Sequence, residues 1–97
     1  MRTIVFGDPH IKEKAIPELE LIFREILEQE GNTLVMIGDY YDNKRPTAQE
    51  IIFGTKWAVA FKKKFKNVIF LRGNHDKTKN ISAIDYLQYF KIKIVDE

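Results

Sequence analysis

Leu34-Val35-Met36-Ile37 runs without interruption into Gly38-Asp39-Tyr40-Tyr41-Asp42, and the fold follows from that junction. A short apolar run that does not alternate with polar residues suits a strand buried on both faces. The Gly-Asp step then ends the strand and leaves a carboxylate at its C-terminal end. The design repeats along the chain. Ile4-Val5-Phe6 leads to Gly7-Asp8-Pro9-His10, Val68-Ile69-Phe70-Leu71 leads to Arg72-Gly73-Asn74-His75-Asp76, and a fourth run spans Ile92 to Val95.

Stretches of helical periodicity separate these runs. Leu19, Phe23, Ile26 and Leu27 form one stripe of a helix predicted over 17–30, with Pro17 near its start and Gly31-Asn32 stopping it. Thr47-Ala48-Gln49-Glu50 reads as a capping box, in which the hydroxyl and the carboxylate each satisfy a free backbone N–H. It opens a helix predicted to run to Lys64. A third and shorter helix is predicted over 82–89, with Ser82 and Asp85 as a weaker box. The order β-α-β-α-β-α-β defines an α/β fold with a mostly parallel sheet and flanking helices. Right-handed crossovers point all strand C-termini one way, so the three polar motifs share the sheet end at which such folds bind ligands.

With 97 residues, the chain fits one small domain and excludes two. A composition 44% hydrophobic and 31% charged is that of a folded globular chain, neither disordered nor collagen-like. There is no cysteine, hence no disulfide framework and no thiolate metal site, which suits a reducing compartment. The N-terminal apolar run is far shorter than a signal peptide's, and no segment approaches the roughly 20 apolar residues of a membrane span. A soluble cytoplasmic protein with no membrane partner is expected. Net charge is +2, but residues 1–54 carry 6 basic and 10 acidic side chains, or −4, against 10 and 4, or +6, in residues 55–97. This asymmetry permits a polyanionic partner on the second half.

Each motif has a plain reading as well as a chemical one. Asp8 can cap a turn, Gly38-Asp39 is ordinary turn chemistry, and Gly73 to Asp76 can be a polar loop. Their conjunction at one sheet end points to metal chemistry, because a hard dication takes oxygen and imidazole donors converging from separate segments. In this order, Asp8-x-His10, Gly38-Asp39-x-x-Asp42 and Gly73-Asn74-His75-Asp76 resemble the first three signature blocks of the calcineurin-like metallophosphoesterases. The resemblance covers the whole chain but only the first half of that family's catalytic domain. The later blocks, a lone His and a Gly-His-x-His, are missing, since His10 and His75 are the only histidines. The expected architecture is half of a four-layer αββα sandwich, with residues 1–97 as the N-terminal half of a truncated or split domain.

The resemblance implies that Asp8, His10 and Asp39 hold one metal ion, and that Asp39 and Asn74 hold a second. Two such ions, about 4 Å apart, acidify water and neutralise a phosphoryl group during in-line displacement. His75 then stabilises the transition state and protonates the leaving oxygen, with Asp76 fixing its tautomer. Asp42 supports the first shell rather than ligating. Two divalent ions are expected, Mn²⁺ first and iron or zinc as alternatives. Without the downstream histidines the second site is too poor in ligands for tight binding, so one-ion occupancy is expected of the chain alone.

Lys44, Arg45, Lys77 and Lys79 lie on the motif loops and are placed to contact substrate phosphates. Lys62, Lys63, Lys64 and Lys66 read better as a solvated helix terminus complementing the macrodipole. Tyr40 and Tyr41 offer stacking to a base, although packing is the plainer role for at least one of them. The Asp39 and Asn74 blocks superficially resemble serine/threonine protein phosphatases, a phosphomonoesterase alternative. However, Ile11, Asn43-Lys44 and Asp76 depart from that group. Asp42 to Thr47, leading straight into a helix, is more similar to the DNA-repair exonuclease branch of SbcD type, which implies a phosphodiesterase acting on DNA. The other alternative is a catalytically incomplete binding or assembly module. In either case the half sheet is expected to expose an apolar edge, and the chain to self-associate or meet a complementing segment.

Overall fold

The computed structural model describes residues 2–43, 45–72, 77–78, 81–82 and 84–96. Strands β1 (Thr3–Gly7), β2 (Thr33–Ile37) and β3 (Asn67–Arg72) alternate with helices α1 (Ile16–Glu28) and α2 (Ala48–Lys64). A hairpin of β4 (Lys77–Thr78) and β5 (Ile81–Ser82), a 3₁₀ segment (Asp85–Phe90) and β6 (Lys93–Asp96) complete the chain. The four apolar runs form one sheet in the order β1-β2-β3-β6, parallel at every pairing. This is the expected α/β class, consistent with one helical layer and one sheet of a metallophosphoesterase half-domain.

Both long helices begin where the sequence places them. Pro17 sits in the first turn of α1, where its missing N–H leaves no bond unmade. At α2 both halves of the capping box form: Glu50 N–H donates to Thr47 Oγ1 at 3.2 Å, and Thr47 N–H donates to Glu50 Oε1 at 2.8 Å. The third helix is a correction. Asp85–Phe90 is a single 3₁₀ segment closed by Lys91 at φ 64°, and the backbone of Ser82 belongs to a strand. Six residues are too few for a stable α-helix. Tertiary anchors hold this segment instead: Leu87 is fully buried and the Tyr86 hydroxyl lies 2.8 Å from Thr55 Oγ1 on α2.

Strand order advances in one direction, and right-handed crossovers that always step the same way deposit their connections on the same face. Accordingly Leu34, Met36, Val68 and Phe70 are buried under Leu19, Phe23 and Ile26 of α1 and Phe53, Trp57 and Phe61 of α2. Phe23 is the hub, with ring centroids 5.4–6.4 Å from Phe6, Tyr40, Phe53, Trp57 and Phe61. The opposite face carries Val5, Val35, Ile37, Ile69, Leu71 and Val95, none of which belongs to the core, and Val5 is 59% exposed. The expected apolar edge is therefore more extensive, an apolar sheet face that no described helix covers. Among the described residues no helix is long and apolar enough to cross a membrane.

Candidate metal centre

The β1–β2 ladder does not stop where the strands do. Asp8 N–H donates to Ile37 O at 2.7 Å, His10 N–H to Asp39 O at 2.9 Å, Ile11 N–H to Tyr40 O at 2.8 Å, and Asp42 N–H to Ile11 O at 3.0 Å. Ile11 and Tyr41 form a parallel bridge beyond the strand ends. The first two motif loops are thus stitched together, Asp8 alongside Asp39 and His10 alongside Asp42.

Three residues of this pair of loops occupy the left-handed region: Asp8 at φ 50°, His10 at φ 46° and Gly38 at φ 84°. For the two non-glycine residues this costs of order 1–2 kcal/mol each, and Asp8 also precedes a proline, which disfavours helical backbone. Strain of this kind is held where surrounding structure over-determines it, and it clusters at functional sites. Gly38 is required twice. Its φ favours glycine, and a Cβ there would lie 1.9 Å from Asp8 Oδ1. That oxygen accepts the Asp39 N–H at 3.2 Å.

The imidazole of His10 stands between two carboxylates. Nδ1 lies 3.2 Å from Asp42 Oδ1 and Nε2 lies 3.8 Å from Asp8 Oδ1. A proton on Nδ1 suits the shorter contact, and Nε2 then presents its lone pair on the Asp8 side, the arrangement by which a carboxylate orients a metal-binding histidine. Two donors on one ion at roughly 2.1 Å stand about 3–4 Å apart, so the 3.8 Å separation of Asp8 and His10 fits a shared dication. The carboxylate of Asp39 is nearly buried at 7% exposure. Among the described residues, no three His, Asp or Glu side chains converge as a ready-made ion cage. Of the site residues expected from sequence, Asn74, His75, Asp76, Lys44 and Lys79 lie outside the described residues, as does the side chain of Lys77. Arg45 is exposed on the loop between Asp42 and α2.

Two further contacts brace the loops, and sequence reading missed the residues that make room for them. Glu50, buried at 3% exposure, uses Oε1 in the capping box and Oε2 to accept Glu13 N–H at 3.1 Å, tying α2 to the segment after His10. Tyr40 and Tyr41 are wholly buried, so both take the packing role and neither offers a face for stacking. The Tyr40 hydroxyl donates to Gly54 O, and the Tyr41 hydroxyl bonds that of Tyr86. Burial foremost, then the neighbouring Tyr86, pushes both phenols well above the ordinary tyrosine range. Gly54 lets Tyr41 in, since a Cβ there would lie 2.4 Å from the Tyr41 hydroxyl. Its signal in the sequence is a glycine inside a 17-residue helix, a choice that needs a packing reason.

A parallel sheet whose strand ends carry stitched Asp and His loops makes an α/β domain with oxygen and imidazole donors gathered at one end. The sequence matches the family model for calcineurin-like phosphoesterases over residues 1–96. The chain belongs to that family, whose members hydrolyse phosphoester bonds and bind divalent metal ions. No curated protein matches the chain.

Proposed function

We propose that this chain supplies the metal-binding loops of a phosphodiesterase acting on DNA. The observation that carries the reading is the line Asp8, His10, Asp42, with His10 held 3.8 Å from one carboxylate and 3.2 Å from the other. In this reading Asp8, His10 and Asp39 hold a first ion, Asp39 and Asn74 a second, and Mn²⁺ is the physiological choice. When bound, the ions neutralise charge on the phosphoryl group and acidify water. Asp42 keeps the proton on His10 Nδ1 so that Nε2 faces the metal. His75 gives a proton to the leaving oxygen, and Asp76 sets its tautomer. Lys44, Arg45, Lys77 and Lys79 steady neighbouring phosphates.

A second reading, a binding or assembly module, draws on the apolar sheet face that the described helices leave open. The two part on a direct measurement. Titration of the chain with Mn²⁺, followed by electron paramagnetic resonance, is expected to show one bound ion per chain that Asp8→Asn and His10→Gln each release. Hydrolysis of bis(p-nitrophenyl) phosphate is expected to be slight for residues 1–97 alone. Once the chain is joined to a segment carrying the downstream histidine blocks, diester hydrolysis should exceed that of the monoester and vanish in Asp39→Asn. Absent Mn²⁺ binding favours the assembly module, and a monoester preference overturns the phosphodiesterase assignment.

A further inference from the structure

The end of the sheet opposite the metal loops carries the opposite charge. There α2 finishes in Lys62, Lys63 and Lys64, with Lys66 following, and β6 begins among Lys91 and Lys93. Lys62, Lys91 and Lys93 line one groove of about 280 Å³, together with Thr33, Asn67, Val68 and Ile69. Along a strand this lies roughly 20 Å from Asp39, at about 3.3 Å per residue from Thr33.

The macrodipole of α2 accounts for Lys62 to Lys66 taken alone. It does not account for Lys93, which sits in a strand, nor for the convergence of separate elements on one depression. No carboxylate lines the groove, and among the described residues none of the three ammonium groups pairs with one. Gathering like charges costs free energy in the isolated protein and favours an anion between them. Lys62 is held at the lip by donating to Lys66 O at 2.7 Å. On the exposed lining, Thr33 Oγ1 accepts from Asn67 Nδ2 at 3.4 Å, which leaves the threonine hydroxyl proton to be donated elsewhere.

We propose that this groove binds the phosphate backbone of a nucleic acid, as a second contact remote from the metal loops. Point-charge lysines with neutral hydroxyl and amide donors are the usual partners of phosphate and sugar oxygens. An acidic peptide would instead favour the bidentate fork of arginine, which the groove lacks. A membrane surface would favour protruding apolar anchors, whereas Val68 is buried and Ile69 half-buried here. A chain held at both poles of the domain gains residence time at the loops without any new contact there.

The test is fluorescence anisotropy with a short labelled single-stranded oligonucleotide, in EDTA so that binding is read apart from metal and hydrolysis. The combined Lys62→Gln, Lys91→Gln, Lys93→Gln variant is expected to bind at least about tenfold more weakly. Its slope of log affinity against log salt should be shallower by about 2, at roughly 0.7 per phosphate. The matching Lys→Arg triple is expected to restore binding, and Asp39→Asn to leave it intact while hydrolysis is lost. An unchanged affinity and slope in a Gln triple that melts like the wild type overturns the proposal. So does stronger binding to phosphatidylserine vesicles or polyglutamate than to the oligonucleotide. Hydrolysis that survives Asp39→Asn, with binding retained, would instead count against the metal-centre reading alone.

Discussion

Leu34, Met36, Val68 and Phe70 lie under two helices, while Val35, Ile37, Ile69 and Leu71, their neighbours along the same strands, face away from every described helix. The side chains on the two faces are chemically alike, yet their surroundings are not. The covered face is an aromatic core centred on Phe23, and the open face ends at Val5, 59% exposed. The strands therefore specify more burial than one helical layer provides. Sheets packed on a second sheet resolve such a demand at about 10 Å separation.

Substitutions made in each face in turn separate the two most sharply. Phe23→Ala should cost about 3–5 kcal/mol in urea unfolding. Ile69→Thr on the open face should change stability by under about 1 kcal/mol. Equal costs below the concentration of self-association would mean that the two faces are equally buried within one chain. A smaller effect is expected at Gly54. Gly→Ala inside a helix ordinarily stabilises by up to about 1 kcal/mol, but here the new methyl meets Tyr41 and the sign should invert, to a loss of about 1–3 kcal/mol by the same assay.

The covered side also carries a signature in pH. Folding raises the Tyr40 and Tyr41 hydroxyls above the ordinary value of 10.0 and so favours their neutral forms. That contribution is complete below pH 10 and is lost as pH rises beyond it, by up to about 1.4 kcal/mol per pH unit for each phenol. Circular dichroism across the alkaline range should show this loss, and Tyr41→Phe should flatten it. The smallest change in stability is expected from Val5→Lys on the open face. Its effect belongs in sedimentation velocity, where the wild type should self-associate at micromolar concentration and the variant should not.

Much of this was legible in residues 1–97. The non-alternating runs gave the strands, and Thr47 with Glu50 gave the start of α2 because a capping box is a local interaction. Asp8, His10, Asp39 and Asp42 could be placed at one sheet end from strand order alone. What escaped was non-local. Stacking on a base stayed open for Tyr40 and Tyr41 because their partners, Gly54 O and Tyr86, lie far along the chain. Residues 82–89 read as a helix opened by a weak Ser82 and Asp85 box, yet the conformation there is set by burial of Leu87 and by the Tyr86 contact with Thr55 on α2. Gly38 read as a turn residue, whereas its missing side chain is also the space that Asp8 occupies.

The bridge between Ile11 and Tyr41 has a kinetic consequence. Because the hydrogen bonds donated by Asp8, His10, Ile11 and Asp42 run from loop to loop, opening one loop releases the other. Their amides should exchange with deuterium together, at a single rate set by one cooperative opening. The first two signature blocks are thus mechanically one part.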